Sequence, residues 1–270
     1  ALLTRGVMLK GVYYWYGRNI AQIWRPRAVV TLYEGRSWER CLWSGVKDAH
    51  PDSAIVGYQH ANLFPYAVSL LRPEPDEERC PAPDIVLCLG ERTRHMMAPG
   101  HRACGSELIA FGTFRKTAQA MSQAAPQPSR RTVLILPEGY LDESKLLFDF
   151  ACQLAVRLPD HRFILRCHPA LPFSTVLPLL EHSPDEFANV EVTPNEHIDE
   201  DLARSSVAFY RGSSAVLYAV SQGLKPYYFH IHDDHYVDPL FELDVWKERV
   251  SGATEAAEKL GHYADLDPVR

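Results

Sequence analysis

The sequence contains no Cys-x-x-Cys pair. Its six cysteines, Cys41, Cys80, Cys88, Cys104, Cys152 and Cys167, stand apart, several of them inside apolar runs. That argues against a zinc ribbon or a disulfide frame, and it fits reduced cytosolic thiols packed as small hydrophobes. No apolar run approaches the ~20 residues a membrane span needs. No stretch reads as a signal peptide with a basic start, an apolar core and a small-residue cleavage site. An excess of positive charge is lacking too: 28 Lys and Arg stand against 34 Asp and Glu, for a net charge of −6. A nucleic-acid binder usually carries a basic stripe, so no nucleic-acid partner is expected, although a local basic pocket stays open. The chain opens on ALLTRGVMLK without an initiator Met, and a piece of a longer protein is expected. A cytoplasmic location follows, with peripheral contact at the inner face of the membrane left open.

Apolar residues make up 46% of the 270 and charged residues 23%, a soluble globular composition with room for one large domain or two ordinary ones. Short apolar runs alternate with helical patterns. The expected strands are 28–34 (AVVTLYE), 54–59, 84–90, 107–112, 132–138 (TVLILPE), 162–167 (RFILRC), 190–194, 207–211 (VAFYR) and 226–231. They are nearly continuous in apolar character, as strands covered on both faces are in a parallel sheet. Helices are expected at 37–48, opening on a Ser37 cap, at 142–158 with apolar residues at i, i+3, i+4 and i+7, and at 213–223 with Gly223 as its stop. The aromatic stretch within 1–24 reads as a further helix whose aromatics serve packing. The fold class is therefore α/β, with two Rossmann-like domains facing each other across a cleft. The expected division is 1–118, a small polar linker at 119–131, and 132–270. The first half is short of an opening strand, which again suggests a truncated front.

In an open parallel sheet, ligands sit beyond the carboxyl ends of the strands. Those ends carry Glu34-Gly35 with Glu39 one helical turn on, then His60, then Pro137-Glu138-Gly139, then Arg166-Cys167-His168-Pro169, then Arg211-Gly212-Ser213-Ser214. Gly212-Ser213-Ser214 at a helix start offers free N–H groups, two hydroxyls and the positive end of a dipole to an anion. Arg166, Arg211 and His168 are cations that could complete a phosphate cradle, and His168 could lend a proton to a departing phosphate. The plainer alternatives are that Ser213 caps a helix, His168-Pro169 ends a strand, and Glu34 caps the helix after it. His230-Ile231-His232-Asp233-Asp234-His235 has spacing a metal could use, but no second cluster pairs with it and no metal is expected. Tyr218, Lys225 and Pro226 read as ordinary helix and strand-start residues.

The RCHP at 166–169, followed 45 residues on (168 to 213) by RGSSAVLYAVSQGLKP, resembles the HP and SS motifs of bacterial GT-B glycosyltransferases that use CMP-activated sugars, the sialic acid and Kdo transferases among them. YEGRSWERCLWSGVKDAHPDSAIVGYQHA is similar to the E-G-x-x-W-E and G-x-x-H segments of bacterial surface-carbohydrate biosynthesis proteins of the same fold. The resemblance covers most of residues 28–231. It implies a transferase moving a Kdo- or sialic-acid-like sugar from a CMP-linked donor to a glycan or lipid-linked glycan acceptor, without metal or other cofactor. It implies His168, Pro169, Ser213 and Ser214 at the nucleotide phosphate. It places the catalytic carboxylate at Glu34, where one acid follows Tyr33 instead of a second Asp or Glu. Glu39 and His60 are then the other candidates for the base. Two other readings stay open: a CDP-glycerol-type phosphotransferase, and a degenerate nucleotide-binding domain without activity.

Overall fold

A computed structural model describes residues 5–64, 70, 82–98, 105–113, 129–193, 197–232 and 237–266, with side chains from residue 10 on. The chain divides into two compact units, 1–116 and 117–270. The connecting stretch expected at 119–131 lies, up to residue 128, outside the described residues.

Among the described residues unit 1 has four strands, β1 (Ala28–Leu32), β2 (Ala54–Tyr58), β3 (Ile85–Cys88) and β4 (Glu107–Ala110), side by side in that order and all parallel. Each expected strand forms but ends early, so that Tyr33-Glu34 and Leu89-Gly90 leave the sheet as loops. Helix α1 (Arg5–Trp24) packs on α2 (Ser37–Ala49) at a crossing so close that the backbones meet. A Cβ on Gly17 would collide with the Leu42 carbonyl oxygen, and one on Gly45 with that of Tyr14. Trp43, wholly buried, ties α2 to the sheet by donating its indole N–H to Thr31 Oγ1 at 3.0 Å. Ser37 is not the cap of α2. Glu39 takes that part, its carboxylate accepting the N–H groups of Glu34 (3.0 Å) and Arg36 (2.9 Å), since one carboxylate can satisfy two of the donors a helix start leaves open. The short helix α3 (Glu91–Met97), which the sequence pattern did not suggest, follows β3.

Unit 2 carries, among the described residues, six parallel strands: β5 (Thr132–Leu136), β6 (Arg162–Leu165), β7 (Val190–Val192), β8 (Val207–Tyr210), β9 (Lys225–Phe229) and β10 (Glu248–Val250). Their spatial order is β10-β9-β8-β5-β6-β7, the doubly wound arrangement of a Rossmann domain, with its switch of direction between β5 and β8. Alternate residues of β5, β6, β8 and β9 feed two cores. Val133, Ile135, Phe163 and Phe209 pack with α4 (Leu141–Arg157) and α8 (Ala253–Asp265), while Leu134, Leu136, Ile164 and Tyr210 pack with α6 (Ile198–Arg204) and α7 (Ala215–Ser221). Strands buried on both faces cannot alternate polar with apolar, which is why these runs read as continuous. Strand β10 escaped the sequence reading because Glu-Arg-Val is too short and too polar to register. The one-turn helix α5 (Phe173–Val176), α6 and α8 were likewise not anticipated.

Candidate active site

The carboxyl ends of β5, β6 and β8 and the start of α6 enclose a cleft of about 740 Å³ in unit 2. Four segments line it: 136–140, 166–170, 197–199 and 213–215, with Tyr218 one turn further along α7. Glu138, Gly139, Arg166, His168, Pro169, Ser213 and Ser214 all lie on its wall, drawn from three strand ends. The cleft opens beside the β5–β8 switch point, where loops on the two sides of the sheet diverge and leave a crevice.

His168 is exposed to this space. Its Nδ1 accepts the Ala170 N–H at 3.2 Å, so the neutral ring carries its proton on Nε2. The ring rests against Gly139, where a Cβ would lie 2.9 Å from Nδ1. Gly212 is glycine for a similar reason: a Cβ there would stand 2.5 Å from Glu138 Oε1. Helix α7 begins at Ala215, two residues later than expected, with Ser214 at its cap position and Ser213, buried, just before it. Ser214 makes no side-chain capping hydrogen bond, so neither serine is the plain helix cap that the sequence left open. Burial, with Glu143 nearby, pushes the Glu138 carboxyl above its ordinary value, while Arg211 opposes the rise.

Two expected phosphate-binding cations are otherwise engaged. Arg166 is buried, and its Nη1 donates to Asp201 Oδ2 at 2.6 Å and to the His197 carbonyl at 3.5 Å. Asp201, without exposed surface, also accepts from Arg204 Nη2 (2.9 Å) and Thr193 Oγ1 (3.0 Å). Arg166 therefore shapes the wall with its charge already balanced. Arg211 stands 3.5 Å from Glu143 Oε2 and is not among the residues lining the cleft. It turns towards Glu143 because that carboxylate, buried at the start of α4, needs a counter-charge.

In unit 1, Glu34 and His60 meet at the ends of the adjacent strands β1 and β2. Glu34 Oε1 lies 3.3 Å from His60 Nε2, and Glu34 Oε2 accepts from Arg36 Nε at 3.0 Å. His60 Nδ1 is buried without a hydrogen-bond partner among the described residues. Glu39 is corrected from candidate base to structural acid. It has no exposed surface and is committed to the turn it holds; burial pushes its carboxyl up against the downward pull of the Glu34 and Arg36 N–H groups.

Sequence reasoning missed Tyr140, His197, Ile198, Asp199 and Tyr218 on the wall. Tyr218 falls four residues after Ser214, the spacing of one helix face, so that signal was present. His197 and Asp199 follow β7. His230 and His232 do not line the cleft, and Asp233, Asp234 and His235 lie outside the described residues. Among the described residues no three His, Cys, Asp or Glu side chains cluster as metal ligands. The four described cysteines are free thiols, with Cys88 and Cys152 pushed up to about 11 by burial.

No protein-family model and no curated protein matches the chain. Solved structures do. The UDP-GlcNAc 2-epimerase of Methanocaldococcus jannaschii aligns with a TM-score of 0.56 at 11% identity, over 98% of this chain and 76% of that one. MurG of Acinetobacter baumannii aligns at 0.53 and 10%, over 97% and 72%. The glycosyltransferase of kitacinnamycin aligns at 0.53 and 12%, over 98% and 76%. Likeness at this level of identity concerns the fold: the chain has the parallel-sheet α/β fold common to GT-B glycosyltransferases and these epimerases.

Proposed function

We propose that the chain is a glycosyltransferase that takes a sugar from a nucleotide-linked donor and passes it to a hydroxyl of a glycan or lipid-linked glycan. The observation that carries this reading is the convergence of His168, Ser213 and Ser214 on one cleft at the switch point of unit 2. Fold likeness to glycosyltransferases supports it. The donor's phosphate lies against the two serine hydroxyls and His168 Nε2–H. As the bond from sugar C1 to phosphate oxygen breaks, its electron pair passes to that oxygen, and His168 meets the growing charge by hydrogen bond or proton. A hydroxyl of the acceptor attacks C1 and gives up its proton to a base, the role for which Glu34, held by His60 and Arg36, is the candidate in this chain. A nucleoside phosphate is already a good leaving group, so this route calls for no divalent cation or further cofactor.

The RCHP and SS pair favours a CMP-linked donor of the Kdo or sialic acid kind in bacterial surface-glycan synthesis. The test is thermal stabilisation by CMP, CDP, UMP and UDP, followed by transfer assays with the preferred sugar nucleotide. Preference for CMP with transfer supports the reading in full. Preference for UDP with transfer keeps the transferase and changes its donor. Turnover of CDP-glycerol moves the chain to phosphotransfer, and turnover of a sugar nucleotide without acceptor moves it to epimerisation. Indifference to every nucleotide overturns the proposal.

A further inference from the structure

Helix α1 turns one face inward and leaves the other bare. Gly17 and Ala21 are buried against the unit, which fixes the rotation of the helix. On the outer side Val12, Tyr16, Ile20 and Ile23 follow one another at spacings of four, four and three, forming a single stripe. All four are exposed, Ile23 at 74%, and Trp24 beside them stands at 77%. An apolar stripe of this length on a water-facing helix marks a contact surface.

Charge says what the contact is with. The first 33 residues hold five of the chain's Lys and Arg and none of its 34 Asp and Glu, although the whole chain is net negative. Lys10, Arg25 and Arg27 are exposed at or near the two ends of the stripe. Apolar and aromatic side chains flanked by cations match a bilayer surface bearing anionic headgroups: tryptophan and tyrosine settle at the headgroup level, and the cations meet lipid phosphates. A second copy of the chain fits less well, because a two-fold pairing through the stripe would set like charges against each other. The helix does not cross the bilayer, since none of the described helices is long and apolar enough to do so. We infer that α1 is a docking face that lies on an anionic membrane surface, a property of unit 1 that stands apart from the nucleotide reading of unit 2.

The test is sedimentation of the whole chain with vesicles of phosphatidylcholine alone and with added phosphatidylglycerol. Partition into the phosphatidylglycerol vesicles should exceed that into the neutral ones by about tenfold or more and should weaken with added salt. Ile20→Asp with Ile23→Asp should remove most of the binding. Arg25→Glu with Arg27→Glu should lower it about tenfold on anionic vesicles only. All four positions are exposed, and an unchanged thermal melt confirms that the variants fold. No binding to either vesicle, or binding that survives both double substitutions, overturns the inference. So does concentration-dependent dimerisation that Ile20→Asp with Ile23→Asp abolishes, which would assign the stripe to a second copy.

Discussion

The chain leaves β1 of unit 1 through Glu34-Gly35-Arg36-Ser37-Trp38-Glu39 and leaves β5 of unit 2 through Glu138-Gly139-Tyr140-Leu141-Asp142-Glu143. Both turns read E-G-x-x-x-E. In both, the second glutamate reaches back from the following helix and accepts the N–H of the first at 3.0 Å. The surroundings then diverge. In unit 1 the first glutamate gains two partners, Arg36 and His60, at the end of a sheet whose described strands run in simple order. In unit 2 the place of Arg36 is taken by Tyr140, and Glu138 lies against Gly212 with Glu143 close enough to raise its carboxyl. The second glutamate holds the turn, and the neighbours supplied by the sheet order decide what the first can do. The two first glutamates therefore differ in what they touch: Glu34 is held by Arg36 and His60, whereas Glu138 lies on the wall of the switch-point cleft.

Exchanging each first glutamate for glutamine separates the two uses. Glu34→Gln should lower turnover about a thousandfold while leaving nucleotide-induced thermal stabilisation intact. Glu138→Gln should act mainly on donor KM. Equal effects on turnover from the two substitutions would break the comparison. Glu138 also predicts a pH dependence. Its carboxyl is raised in the folded state, so the folded chain binds that proton more tightly than the unfolded chain. The group therefore costs stability as pH rises from its ordinary value of 4.5 through the raised one. Glu138→Gln should be more stable than the parent at neutral pH, with the difference closing below that range, as urea titrations across pH would show.

Asp201→Ala should produce the largest loss of stability, about 3 kcal/mol by urea unfolding, because it leaves the buried Arg166 guanidinium without its counter-charge. Exchanging both partners for apolar residues, Arg166→Met with Asp201→Leu, should recover much of that loss. Gly45→Ala should cost unit 1 about 2 kcal/mol, since the added methyl would press on the Tyr14 carbonyl and on the Arg18 backbone nitrogen.

The parallel strands of unit 2 and its cleft wall were legible in the sequence for one reason. Strands buried on both faces spell themselves as unbroken apolar runs, and a polar or proline-bearing end to such a run marks where the chain meets solvent. That logic reached His168, Ser213 and Glu138. It failed where a residue type says nothing about its partner. Arg166 and Arg211 look like phosphate ligands until Asp201 and Glu143, 35 and 68 residues away in the chain, appear beside them. It failed also for β10, where three residues owe their strand state to pairing with β9 and not to their own pattern. The E-G-x-x-x-E repeat was written in the sequence, but its meaning lies in a hydrogen bond that only the fold makes visible.

The two glycines of that repeat offer the finest test, since each is glycine for a different cause. Gly35 has φ of 75°, in the left-handed region that a side chain strains. Gly35→Ala should therefore cost about 1 kcal/mol of stability and leave donor KM unchanged. Gly139 does not share that backbone conformation; its constraint is the His168 ring, whose Nδ1 would lie 2.9 Å from an added Cβ. The imidazole is an exposed side chain that can give way, so Gly139→Ala should unfold nothing. The ring must instead move a few tenths of an ångström, which loosens the hydrogen bond from the Ala170 N–H and re-aims Nε2. Donor KM should rise about threefold to tenfold as the aim of one charge-meeting group is spoiled. If Gly139→Ala lowers stability without touching KM, the ring is only packing there, and the two turns of the chain are alike after all.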